Sequence, residues 1–292
     1  MSGKQNPSHL HHWFPEALSF HWANSEGKII RVNTDNGQRN QAIPSVFGGR
    51  EKWHVLDFGK TSPWTTNFES QFHHADRRMN RLVAKLNKLT GTNRLQSQPI
   101  DIETRQLFAT CCASLLARLP GTRRRLEKYI RQWPGPQNTD EEIKRVNLPG
   151  TARSLFDSYT SIMMTSGTFA IFTSANLDFI YGDGLYHTFP LTAIFPVDGR
   201  PLHVCAKCIV PITPSIAVIY IAPCPTSILL ICNLEPHEAV HINRATQVNS
   251  KELFFRRHEP NVFSQQDVAT SERWLASMFN FVATCDPPAQ KA

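Results

Sequence analysis

The sequence predicts an α+β protein: a mixed, mostly antiparallel sheet packed against helices, with a helical block in the middle of the chain and helices at its C-terminus. Three observations carry this. Short β-branched runs open the chain, segments of helical periodicity fill residues 64–164, and strands cluster over 168–232 before two closing helices.

Lys28–Val32 and His54–Phe58 read as short strands separated by a long Gly- and Asn-rich loop. Trp64–Leu89 has the period of an amphipathic helix, its apolar stripe being Phe68, Phe72, Ala75, Met79, Val83 and Leu86. Helices follow at Asp101–Arg118, Thr122–Gln132 and Ala152–Met164, and the run Trp133-Pro-Gly-Pro-Gln137 marks a break or surface loop. Strands are predicted at Thr168–Ser174, Asp178–Tyr181, Val204–Ile212, Ala217–Ile221 and Ile228–Cys232. Pro236–Asn249 opens on a proline suited to a first helical position, and Ser271–Ala283 is amphipathic around Trp274, Leu275, Met278 and Phe281. Strands between two helical blocks suggest a sheet covered on one face by helices. There is no internal repeat; the chain reads as one domain over 1–292, divisible into a strand-plus-helix lobe (9–132) and a sheet-plus-helix lobe (150–285).

With 292 residues, 41% hydrophobic and 19% charged, the chain has enough apolar material for a sizeable globular core. The polar, His-rich start, Met1–Phe14, lacks the pattern of a secretion signal, so a cytoplasmic location is the expectation. Ser215–Leu234 carries no charge before Glu235, but Pro223-Cys224-Pro225 sits at its centre between β-branched flanks. It reads as two buried strands joined by a turn, so no membrane partner is expected. Seven scattered cysteines fit a reducing compartment. Cys205-Ala-Lys-Cys208, with His203 nearby, has metal-like spacing but no second ligand pair, and in a strand its two thiols point to opposite faces.

The net charge of +7 is concentrated in three places: Arg77, Arg78, Arg81, Lys85 and Lys88 opposite the apolar stripe; Arg118, Arg123, Arg124, Arg125, Lys128 and Arg131; and Arg256-Arg257-His258. Such clusters suit RNA or DNA through phosphate neutralisation, although the aromatic interleaving of single-strand platforms is thin. On the first helix, Glu69, His73 and Asp76 fall at i, i+4 and i+7 and, with Asn80, lie within about 60° of arc. That line can hold a divalent cation such as Mg2+ or Mn2+, with Glu69, His73 and Asp76 as ligands. Equally, Glu69 and Asp76 can pair with Arg77, Arg81 or His73 along the helix. No Walker A loop, GxGxxG, HExxH, GxSxG or zinc-deaminase signature occurs.

Several blocks, in order, resemble the bacterial domain-of-unknown-function 4238 family. His12-Trp-Phe-Pro15, followed by Gly27-Lys-Ile-Ile-Arg-Val32, is similar to its His-aromatic-hydrophobic-Pro start. The helix with Glu69 and Asp76 is similar to its helix with two spaced glutamates, and Arg118-Leu-Pro120-Gly-Thr-Arg123 resembles its Arg-Thr-Pro block. Phe169-Ala-Ile-Phe-Thr-Ser174-Ala-Asn176 resembles its Ser-Asp-Asn-Pro strand end, Ile209-Val-Pro-Ile-Thr-Pro214 its Pro-Leu-Ser-Pro turn, and Asn243 matches a late helical Asn. The likeness spans His9 to Arg257. Ala175 replaces a family Asp, which removes a carboxylate unless Asp178 compensates. The resemblance implies a bacterial, intracellular protein and supplies no reaction.

If these blocks converge, His12, Glu69, Asp76 and Arg118 form a catalytic group and Arg123, Ser174, Asn176 and Asn243 bind substrate. That set fits metal-assisted hydrolysis of a phosphodiester by a nuclease-like enzyme of a defence or toxin system. The alternative is a non-catalytic module that binds nucleic acid, or a protein encoded in the same operon, through Arg77, Arg78 and Arg123 to Arg125.

Overall fold

The computed structural model of the chain describes residues 10–51, 53–56, 66–67, 69–90, 93–132, 139–191, 205–224, 228–256 and 265–284. In chain order, β1 (Leu10–His12), the short α1 (Glu16–Ser19), β2 (Ile29–Asn33), β3 (Arg39–Ala42), β4 (Gly49–Glu51), β5 (Val55–Leu56) and β6 (Thr66–Asn67) precede α2 (Glu69–Leu89). Then come β7 (Leu95–Pro99), α3 (Ile102–Arg118), α4 (Pro120–Gln132), α5 (Asp140–Glu142) and α6 (Leu148–Thr165), a π-turn over Ile143–Asn147 leading into α6. The second half runs β8 (Thr168–Ser174), β9 (Tyr181–Gly182), β10 (Ala206–Thr213), β11 (Ile216–Ala222), β12 (Ile228–Leu234), α7 (Pro236–Asn249), β13 (Glu252–Phe255) and α8 (Gln265–Thr284). The expectations at His9, Phe58, Trp64, Phe68, Trp133–Gln137, His203, Val204, Arg257 and His258 fall outside the described residues.

The architecture is α+β. Its main sheet has the order β10-β11-β8-β12-β7, antiparallel except where β8 runs parallel to β12. β8 is central because TFAIFTS is apolar on both faces, and a strand buried on both sides reads as a continuous run. The strands at 216–222 and 228–234 are therefore not neighbours: each pairs with β8 from one side, Ala170 lying opposite both Ile219 and Leu230.

Helices cover both faces of this sheet rather than one. Alternation along β8 sends Phe169 toward α3 and α6, where it meets Phe108 edge-on with ring centroids 5.5 Å apart. On the same face the Tyr220 hydroxyl reaches the carbonyls of Ile162 (3.0 Å) and Ser166 (2.9 Å) at the end of α6. Phe172 points the other way, into a groove shared with Trp274 and Met278 of α8. α2 packs outside α3, so its stripe of Phe72, Ala75, Met79, Val83 and Leu86 is buried as expected. It begins at Glu69, not Trp64, because Thr66 and Asn67 pair with β5.

A second sheet, β3-β2-β13-β9, is wholly antiparallel. Both sheets combine strands from the 9–132 and 150–285 spans, so these interlock instead of forming separate lobes. The strand expected at Asp178–Tyr181 is reduced to β9. At Gly182 an added Cβ would lie 2.0 Å from the Ser250 hydroxyl, so only glycine allows this approach of β9 to the end of α7. Tyr181 stacks within an aromatic group of Trp13, Phe14 and Trp22, its ring 4.4 Å from that of Phe14. Its buried hydroxyl has no hydrogen-bond partner among the described residues. Tyr181→Phe is therefore expected to leave stability unchanged or raise it by about 1 kcal/mol, read from urea midpoints; a loss beyond that would show a bonded hydroxyl.

Candidate functional site

Carboxylate, imidazole and guanidinium groups do meet at the start of α2, but in an order set by strand register. In β1 alternate side chains face opposite ways, and the inward one is His11. Its Nδ1 accepts the backbone N–H of His54 (2.7 Å), which leaves Nε2 to carry the proton toward the Glu69 carboxylate 3.5 Å away. The His54 ring stacks on it, with centroids 5.3 Å apart. Burial, then Arg118 and Arg123, hold His54 well below the usual imidazole range. His12 faces outward, its Nε2 3.4 Å from the Ser45 carbonyl, and its hydrogen bond to the cluster is made through its backbone carbonyl. The assignment of its imidazole to a catalytic group is corrected on that ground.

About two turns along α2 from Glu69, Asp76 receives both terminal nitrogens of Arg118, at 2.7 and 3.1 Å. Arg118 also donates to the carbonyls of Ser114 and His12 and lies over the Phe72 ring, 4.8 Å from its centroid. At 1% exposure it is a buried cation fully committed to the fold, whereas Asp76 is 30% exposed. His73 is exposed on the outer side of α2. Among the described residues no three His, Cys, Asp or Glu side chains group as possible metal ligands, so Glu69, His73 and Asp76 do not assemble the expected Mg2+ or Mn2+ site. Glu69 turns to His11 and Asp76 to Arg118; their arc on the helix is shared, their partners are not.

The basic cluster after α3 is largely internal. Arg123 donates to the Trp53 carbonyl and covers the Trp53 ring; Arg124 grips Asp183 at 2.6 and 3.2 Å; Arg125 donates to the His187 carbonyl (2.9 Å). His187 is a satisfied core group: its Nε2 lies 2.9 Å from the Thr122 hydroxyl, and burial drives its pKa well below 6.5. Arg131 pairs with Glu127 and Asp140, and Arg256 with Asp178, which answers the question of whether Asp178 stands in for the missing acid at Ala175. Its carboxylate is engaged.

Ser174 and Asn176 lie apart from Arg118, at the C-terminal end of α2. They line a cleft of ≈ 660 Å³ beyond the carboxyl ends of the parallel strands β8 and β12, together with Asn87, Thr90, Arg94, Ser215 and Asn233. Asn87 is eleven residues along α2 from Asp76, about 16 Å at 1.5 Å per residue. The single cleft expected from sequence is thus two separate loci at opposite ends of one helix. Ser174 shapes the turn by accepting the N–H of Leu177 (3.3 Å), while Ala175 and Asn176 are exposed to the cleft. Asn243 belongs to neither locus: its amide clamps the backbone of Asp178 (3.0 Å) and Ile180 (2.9 Å).

Sequence reasoning considered His11 only as a metal ligand of the His-rich start, and passed over Trp53 and His54 at the first locus and Asn87, Arg94, Ser215 and Asn233 at the second. The signal for His11 was the His11-His12 pair itself, which obliges one of the two to face inward. Asn233 carried none, since it lies beyond the predicted end of its strand.

What these features define is an α+β protein with a buried ion-pair cluster at the start of α2 and an open, amide-rich cleft at its end. Compared with protein-family models, curated proteins and solved structures, the chain matches none. No helix among the described residues is long and apolar enough to cross a membrane. The described cysteines, Cys111, Cys112, Cys205, Cys208, Cys224 and Cys232, are free thiols; Cys205 is exposed just before β10 and Cys208 is buried within it.

Proposed function

We propose that the chain binds single-stranded nucleic acid along the outer face of α2, with an unstacked nucleotide entering the cleft at its C-terminal end. The observation that carries this reading is the meeting of the two features: Arg77, Arg81 and Lys88 are exposed on α2, and Asn87, Thr90 and Arg94 at its end line the cleft. The surface pairs of Arg81 with Glu103 and Lys85 with Asp101 are solvated, and a polyanion can exchange with such partners. Phosphates lie along the cations, while the exposed amides of Asn87 and Asn176 offer both donor and acceptor to a base edge.

The metal-dependent nuclease reading has less support, because both carboxylates it needs hold internal cations or imidazoles. The internal contacts of Arg123, Arg124 and Arg125 favour Arg77 and Arg78 over them as the cations of this surface. Anisotropy titrations with short single-stranded RNA and DNA at several salt concentrations test the proposal. Arg77→Glu with Lys88→Glu is expected to weaken binding about tenfold or more and to flatten the salt slope by roughly 0.7 for each phosphate no longer neutralised. Asn176→Ala should weaken binding without altering that slope. Absence of binding at low salt would overturn the proposal, and Mg2+-dependent degradation abolished by Glu69→Gln would return the site to hydrolysis.

A further inference from the structure

Among the described residues four arginines are buried, and three of them meet either a carboxylate or several acceptors, although Arg244, like Arg123, leaves its Nε without a hydrogen bond. Arg118 has the Asp76 carboxylate. Arg105 donates to the carbonyls of Met164, Ser166 and Gly167, where the negative end of α6 also favours a cation. Arg244 meets the Asp267 carbonyl and the Ser271 hydroxyl, with the Asp267 carboxylate 3.9 Å away.

Arg123 has a single acceptor and no carboxylate among the described residues. At 8% exposure its guanidinium makes one hydrogen bond among the described residues, to the Trp53 carbonyl, and leaves Nε unpartnered; no described carboxylate pairs with it. Its other support is the Trp53 ring, whose centroid is 3.7 Å from the guanidinium carbon. A second arginine, Arg50, approaches the same ring at 5.4 Å and is exposed to solvent. The indole is pinned by its own N–H, which donates to the Arg118 carbonyl at 3.1 Å. Burial, reinforced by Arg50, lowers the Arg123 pKa to about 9, so it remains a cation at neutral pH. A desolvated cation beside a second cation is costly unless an anion completes it.

We propose that Arg123 and Arg50, assembled on Trp53, form a binding site for a phosphate-type oxyanion, separate from the cleft at the end of α2. Arg123 supplies the buried donor fork and Arg50 the exposed one, both against the Trp53 ring, and guanidinium forks match phosphoryl oxygens. The ligand is inorganic phosphate or the phosphoryl group of a small monoester.

Calorimetric titration of the full chain with inorganic phosphate and with phenyl phosphate, at fixed ionic strength in chloride, tests this. Saturable 1:1 binding is expected, with at least about a tenfold loss of affinity in Arg50→Gln, equivalent to ~1.4 kcal/mol. Equal affinities assign the free ion and a tighter monoester assigns the phosphoryl group of a larger ligand; either supports the site. Arg123→Gln should abolish binding, and should that variant not fold, Arg50→Gln decides alone because its side chain is at the surface. Lys88→Glu, which tests the nucleic-acid surface, should leave phosphate binding unchanged. No saturable heat with either ligand, or an unchanged affinity in Arg50→Gln, overturns the proposal whatever the outcome with oligonucleotides.

Discussion

Asp76→Ala is expected to lower the free energy of unfolding by about 3–5 kcal/mol, the range for stranding one member of a buried ion pair. The loss is large because Arg118 stays behind at 1% exposure, and two of its hydrogen bonds vanish with the carboxylate. The reverse change has a different size. Arg118→Met fills similar space with apolar atoms and leaves Asp76 at 30% exposure, where it can hydrate, so this variant should lose less than Asp76→Ala. Urea unfolding of the two variants measures the asymmetry. A loss under about 1 kcal/mol for Asp76→Ala would mean that the pair is not the lock described here.

The second large effect is a dependence of stability on pH. His54 and His187 are both buried, and burial holds each pKa well below the ordinary 6.5. As pH falls through 6.5 the unfolded chain protonates these imidazoles while the folded chain does not. Stability is therefore full above that value and declines below it, until the folded pKa values are reached. Each histidine contributes a slope of about 1.4 kcal/mol per pH unit in that window, so the two together give roughly twice that. His187→Gln keeps a donor for the Thr122 hydroxyl and should halve the slope. Unfolding curves between pH 5 and 7.5 decide it; a flat profile would show that the folded protein accepts protons at both sites.

These two results bear differently on function. The ion pair accounts as structure for Asp76 and Arg118, and the His11 contact does the same for Glu69, among the groups that sequence offered as catalytic. Facing solvent are the cationic side of α2, Arg50 and the amides of the cleft, and both proposals draw on these groups, the second together with the buried Arg123.

How much of this was legible beforehand depended on the length scale of the signal. α7 was predicted residue for residue, as was β8, because a helix opening on Pro236 and a seven-residue apolar run are local patterns. The main body of α3 was equally plain, with Asp101 now seen as its cap, accepting the N–H of Thr104 at 2.6 Å. By contrast, β7 went unseen because LQSQP is a polar edge strand, specified by its pairing with β12 rather than by its own composition. β3, β4 and β13 are likewise short strands whose partners lie far away in the chain or across a turn.

By itself, then, the sequence determined the fold class, the buried stripe of α2, and the common arc of Glu69 and Asp76, since each follows from a repeat of 3.6 or 2 residues. The tertiary structure alone decided that His11 rather than His12 meets Glu69, that Arg118 neutralises Asp76, and that Ser174 and Asn176 open a different cleft. The physical reason is that periodicity fixes which side of an element a residue occupies, whereas a partner depends on the register and length of the elements brought against it. One residue of strand register exchanges two histidines, and eleven residues of helix carry two predicted halves of one site about 16 Å apart.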